Sequence, residues 1–190
     1  MYLKNWRTEI LTVPNLLSLL RLLLLPVYAR IYLRATQPAH YLLAGAIMAV
    51  SCLTDLLDGM LARKLHQITN LGKVLDPLAD KITQLTLTLC LSLKYPALHP
   101  LLALLLVKEV FQLVTGLFFL RKGQVLDGAL AEGKVCTAVL FLSLLALVVF
   151  PDIPAAAVEA IAVADGFLLV VSFFSYGRAY FGKEAKTQDL

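Results

Sequence analysis

Charge is scarce in this chain: only 16% of its 190 residues are Asp, Glu, Lys or Arg, whereas 59% are hydrophobic. A soluble globular domain runs nearer about 25% charged and about 45–50% apolar. The mean hydropathy of +0.80 therefore excludes an ordinary soluble enzyme and a disordered chain alike. Cysteine is sparse as well. Cys52, Cys90 and Cys136 form no C-x-x-C pair and each lies in an apolar run, which suits a small buried hydrophobe and not a disulfide framework. No repeat or low-complexity segment occurs. A cleavable leader is not expected. Lys4 and Arg7 imitate a basic start, but Glu9, Asn15 and Arg21 interrupt the apolar residues behind it, and no small-residue cleavage site occurs.

What the chain does have is long apolar stretches. Six run over about 11–31, 41–57, 78–93, 98–120, 129–150 and 155–176, separated by Gln37-Pro38, Tyr95-Pro96, His99-Pro100, Arg121-Lys122-Gly123 and Pro151 to Pro154. At about 20 residues per span, this length holds six membrane helices and little else. The expected fold is all-α, an integral membrane protein with six transmembrane helices. One membrane-embedded domain would cover residues 1–190, its bundle spanning 11–176 and a polar tail 177–190. Tyr2, Leu3, Trp6 and Ile10 recur at helical spacing beside Lys4, Asn5 and Arg7, so residues 1–10 are expected to form a short N-terminal interfacial helix. The alternative there is a frayed polar terminus.

The sparse charges orient the bundle. The N-terminus, the second and fourth connections and the tail together carry eleven basic residues, among them Arg63, Lys64, Arg121, Lys122, Lys134 and Arg178; the opposite side carries Arg30, Arg34 and Lys94. By the positive-inside rule both termini are cytoplasmic, which requires an even number of spans. The net charge of +4 points to cytoplasmic loops and anionic head groups, and no nucleic-acid partner is expected.

Function should lie where polar residues break the apolar pattern, because ionisable groups in spans are costly. Four carboxylates flank the second connection: Asp55 and Asp58, three apart, and Asp76 and Asp80, four apart, so each pair occupies one helix face. Converging in low dielectric, four could not all stay ionised alone. One or two hard divalent cations remove the difficulty, and Mg²⁺ suits carboxylates combined with substrate phosphates. The plainer alternative is solvated carboxylates at helix ends. Gly59 and Ala62 share the Asp55–Asp58 side of the helix and would admit a ligand close to the backbone, or else a neighbouring helix. Arg63 suits a bidentate phosphate contact. Gly72 begins the return into the third span, with Thr69 or Asn70 as its cap, unless Pro77 makes Asp76 the cap. Among the other intramembrane charges, Arg21 and Lys108 are candidates for an anionic ligand, Lys108 and Glu109 alternatively for an ion pair, and Asp165 has no partner evident in the sequence.

These residues match a pattern. Asp55-Leu-Leu-Asp58-Gly59-Met-Leu-Ala62-Arg63, eight residues, Gly72, three residues, Asp76, three residues, Asp80 resembles the complete signature of the CDP-alcohol phosphotransferases. Pro14-Asn15-Leu16-Leu17-Ser18-Leu19-Leu20-Arg21 is similar to that family's first span. Leu75 to Lys81 and Gly133 to Thr137 resemble phosphatidylglycerophosphate synthases, while Thr54 to Asp58 and Ser175 to Arg178 also resemble cardiolipin synthases. The resemblance implies six spans, a homodimer, and two divalent ions, Mg²⁺ or Mn²⁺, on Asp55, Asp58, Asp76 and Asp80, with Asp80 as general base. It implies a CDP-diacylglycerol pocket lined by Asn15, Ser18, Gly59, Ala62, Arg63, Thr69 and Gly72. The implied reaction moves a phosphatidyl group from CDP-diacylglycerol to an alcohol, releasing CMP, in a cell membrane of bacterial cytoplasmic type with the site facing the cytoplasm.

Glycerol 3-phosphate is the expected acceptor. Arg121 and Lys134, on the cytoplasmic side, could bind its phosphate, or could simply be positive-inside anchors. Phosphatidylglycerol, serine or inositol phosphate are the alternative acceptors. Two other functions compete. An intramembrane prenyltransferase would need two acidic motifs on distant helices and more spans. A cation transporter would need carboxylates at the midplane on broken helices, whereas these lie near a cytoplasmic end beside Arg63 and Lys64. If the carboxylates require divalent neutralisation, transfer stops in excess EDTA and returns with Mg²⁺ or Mn²⁺; full turnover in chelator would refute the requirement.

Overall fold

The computed structural model describes residues 12–64, 72–121 and 131–181, so the interfacial helix expected over 1–10 lies outside the described residues. The described part is all-helical: α1 (Val13–Leu33), α2 (Pro38–Lys64), α3 (Gly72–Lys94), a 3₁₀ turn (Pro96–Leu98), α4 (His99–Arg121), α5 (Ala131–Val149) and α6 (Ala155–Phe181). Each helix falls on one of the six apolar stretches. Prolines mark the starts: Pro14 sits in the first turn of α1, Pro38 opens α2, and Pro154 precedes α6 and accepts the amide of Ala157 at 2.9 Å. Pro26 and Pro77 lie inside α1 and α3, where each removes one backbone donor.

Among the described residues, three segments are long and apolar enough to cross a membrane: Asn15–Leu33, Pro96–Gly116 and Ala155–Arg178. Pro38–Thr54 and Val135–Val149 are shorter apolar helical segments. The helix surfaces are reversed relative to a soluble bundle. Leu23, Leu142, Val163 and Phe167 stand exposed, while Asn15, Arg21, Lys108 and Asp165 are buried. Outward Leu, Val and Phe suit hydrocarbon, and inward polar groups avoid it. This is a membrane protein.

The chain divides into two compact units, residues 1–90 with 148–151, and residues 91–147 with 152–190. In the first, α1 and α2 pack together after a short connection, as antiparallel neighbours do. The buried face of α1 runs through Asn15, Ser18, Arg21, Leu25, Tyr28 and Tyr32 at helical spacing. Tyr28 stacks on Tyr32 with ring centres 5.7 Å apart, and Tyr32 meets Tyr41 of α2 edge-on at 5.6 Å. In the second unit, α4 packs on α6, where the rings of Phe111 and Phe173 approach to 4.6 Å. Lys108 and Glu109 of α4 form an ion pair of 2.9 Å, both largely buried. Asp165, for which the sequence offered no partner, accepts a hydrogen bond of 2.5 Å from Ser143 across the facing helix. All three cysteines are free, Cys90 and Cys136 buried and Cys52 partly so.

Gly45 belongs to this packing. A Cβ there would stand 2.5 Å from Cγ2 of Val149, whereas one at Gly166 would meet nothing within 4 Å. Gly45→Ala therefore lowers stability by about 1–3 kcal/mol through overpacking. Gly166→Ala is neutral or stabilising by up to about 1 kcal/mol through helix propensity. Thermal unfolding of the detergent-solubilised protein separates the two; equal responses would contradict the contact of Gly45 with Val149.

Candidate active site

The signature residues are carried by two helices and the connection between them. Asp55, Asp58, Gly59, Ala62 and Arg63 lie along the last three turns of α2, and Gly72, Asp76 and Asp80 along the first turns of α3. Thr69 lies outside the described residues. One expectation is corrected: Asp76 is not a helix cap. Because α3 begins at Gly72, Asp76 stands inside the helix, and Pro77 sits in its second turn. Asp76 and Asp80 are thereby one helical repeat apart on one face. Gly72 is buried at the start of the helix.

The helix facing this pair is α1. Ser18, fully buried, donates from Oγ to Oδ1 of Asp76 at 2.5 Å. Arg21, buried to 2% exposure, donates from Nη1 to Oδ1 of Asp80 at 2.6 Å. Residues three apart on α1 thus meet residues four apart on α3. Asn15, one turn before Ser18, is buried on the same face. The first-span residues singled out from sequence are therefore beside the acidic motif. Their partners were not legible there, since 58 and 59 residues separate each bonded pair. The available signal was that Ser18 and Arg21 share a helix face and Asp76 and Asp80 share another.

Further along α3, the polar side chains serve the helix itself. Thr83 donates back to the carbonyl of Ala79 and Thr88 to that of Gln84, both at 2.8 Å. Thr54, just before Asp55, similarly donates to the Ser51 carbonyl at 2.7 Å. These hydroxyls bond within their own helices, whereas Asp76 and Asp80 bond across to α1 and are only partly buried. Oxygen-only carboxylate donors at such an edge fit a hard divalent cation. No group of three or more His, Cys, Asp and Glu converges among the described residues. Of the four signature carboxylates, the α3 pair has described side chains.

Of the basic candidates, Arg121 ends α4 and Lys134 lies in the first turn of α5. Beside Lys134, Gly133 has a packing reason to be small: a Cβ there would stand 2.7 Å from the Tyr176 hydroxyl of α6. Thr137 donates to the Gly133 carbonyl at 2.8 Å. Lys108, a sequence candidate for an anionic ligand, is engaged by Glu109 instead.

Comparison with known proteins agrees with the signature. The family model for CDP-alcohol phosphatidyltransferases matches residues 11–173. A CDP-diacylglycerol–glycerol-3-phosphate 3-phosphatidyltransferase of Aquifex aeolicus is 38% identical over 138 residues, covering 72% of this chain and 75% of that protein. A protein of the same name from Pseudomonas fluorescens is 40% identical over 72 residues, 38% of this chain and 36% of that one. A human cardiolipin synthase (CMP-forming) is 38% identical over 112 residues, 58% of this chain and 35% of that one.

Proposed function

Since the chain belongs to the CDP-alcohol phosphatidyltransferase family, we propose that it transfers the phosphatidyl group of CDP-diacylglycerol to glycerol 3-phosphate, forming phosphatidylglycerophosphate and releasing CMP. The observation that carries this reading is the acidic signature with Asp76 and Asp80 aligned on one face of α3 against α1. The name and coverage of the Aquifex relative support the choice of acceptor.

The reaction joins the acceptor hydroxyl oxygen to the lipid-linked phosphorus and breaks the bond from that phosphorus to the CMP oxygen. Asp55, Asp58, Asp76 and Asp80 would hold two divalent ions, Mg²⁺ or Mn²⁺, which neutralise the pyrophosphate and stabilise the charge that develops on transfer. Asp80 takes the proton of the attacking hydroxyl. Gly59, Ala62, Arg63, Thr69 and Gly72 line the nucleotide pocket, with Asn15 and Ser18 bordering it. The protein crosses a bacterial cytoplasmic membrane six times as a homodimer, with both termini and the site on the cytoplasmic side, in line with the asymmetry of its loop charges.

A phosphorylated, water-soluble acceptor needs fixed cations where a pyrophosphate and four carboxylates already lie. Arg121 and Lys134 are the candidates for them in the sequence, by the asymmetry of the loop charges. Serine would leave those charges unused, and phosphatidylglycerol would enter laterally from the bilayer through an apolar groove.

Role separation is testable. Asp80→Asn loses most of its turnover but retains CDP-diacylglycerol binding better than Asp55→Asn; equal loss of binding in both would contradict the division. The acceptor is tested by supplying the purified protein with radiolabelled CDP-diacylglycerol and a panel of alcohols. Glycerol 3-phosphate is used, and Lys134→Ala weakens its use about ten- to a hundredfold, the cost of one charge-assisted contact, with CDP-diacylglycerol binding nearly unchanged. Cardiolipin made from phosphatidylglycerol, with glycerol 3-phosphate ignored, would replace this acceptor with that of a cardiolipin synthase.

A further inference from the structure

Two ion pairs in the membrane-embedded part of this chain differ in kind. In Lys108–Glu109 both side chains are withdrawn, with 7% and 11% exposure. In Arg21–Asp80 the cation is withdrawn to 2%, while the carboxylate keeps 48%. A pair that only neutralises two buried charges has no reason to present one of them. We infer that Arg21 is a positioning residue for the transfer reaction, acting through Asp80, whose carboxylate it holds at the open edge of α3. This rests on the reading that Asp80 accepts the acceptor's proton.

The geometry explains how one side chain achieves this. Asp80 has only two side-chain torsions, and a charged donor on Oδ1 at 2.6 Å restricts both. The donor is itself immobile, because a guanidinium so deeply withdrawn cannot exchange its carboxylate for water. One turn earlier, the Ser18 bond to Asp76 ties the same two helix faces together. The two connections fix both the rotation and the axial register of α1 against α3. Pre-orientation of this sort accelerates a proton-accepting group without adding any contact to the substrate.

A positioning role and a scaffold role differ in what they leave intact. Arg21→Gln lowers kcat by about tenfold or more, while KM and equilibrium binding of CDP-diacylglycerol stay within about threefold of the wild type. Because Arg21 acts through Asp80, adding Arg21→Gln to Asp80→Asn costs no further residual activity, the non-additivity expected of coupled residues. Arg21→Lys, which keeps the charge but not the fork, recovers part of the loss. Wild-type kcat in Arg21→Gln would overturn the inference. So would parallel loss of turnover, binding and thermal stability, or a full additional loss in the double variant. If Arg21→Gln does not accumulate, Arg21→Lys decides alone: reduced kcat at unchanged KM supports the assignment and unchanged kcat overturns it. A wild-type protein that moves no phosphatidyl group to any alcohol would instead refute the underlying reaction, and this assignment with it.

Discussion

A guanidinium inside a bilayer cannot stand alone: its removal from water has to be offset by an anion and by hydrogen bonds, and hydrocarbon offers neither. Arg21 meets that requirement with Asp80, and much of the first unit's arrangement depends on it. The pairing demands that α1 turn its Asn15–Ser18–Arg21 face toward α3, which places Ser18 on Asp76. It also demands that α3 begin early enough for Asp76 and Asp80 to share a face, and α3 does begin at Gly72, four residues before Asp76. The tyrosines follow on the same side of α1, where Tyr28 and Tyr32 continue the buried stripe toward Tyr41.

The same electrostatic requirement governs the second unit. Lys108 is satisfied by its neighbour Glu109, and Asp165 by Ser143. These pairings are closed within the packed helices. In the first unit, by contrast, a buried cation meets a half-exposed carboxylate. Arg121 and Lys134, the proposed acceptor contacts, lie near helix ends of the second unit.

Much of this was legible in the sequence because it is local. Apolar length, proline punctuation and residue spacing are properties of short windows, and all six stretches became helices with ends within a few residues of expectation, apart from the extensions of α2 to Lys64, α3 back to Gly72 and α6 to Phe181. Those extensions are amphipathic turns carrying charge, which hydropathy trims away. The acidic signature was legible for the same reason, being two helix faces written at spacings of three and four. Partners were not. Ser18 to Asp76, Arg21 to Asp80 and Ser143 to Asp165 join residues 58, 59 and 22 positions apart, and no window spans them. Asp165 shows no partner in the sequence for that reason, and Pro77, by imitating a helix start, gives Asp76 the look of a cap.

The order of synthesis gives the separation of Arg21 from Asp80 a further meaning. A helix-centre arginine disfavours insertion by about 2.5–3.5 kcal/mol, and α1 leaves the ribosome with its anion still 59 residues from being made. Leucine-rich turns on both sides of Arg21 give α1 the hydropathy to enter regardless. The later helix is the weaker candidate: α3, bearing Lys73, Asp76, Asp80 and Lys81, is not among the segments apolar enough to cross a membrane by composition. Two of those charges, Asp76 and Asp80, are met in the folded protein by Ser18 and Arg21 of a helix made before them. What α3 lacks in hydropathy, α1 supplies as polar partners.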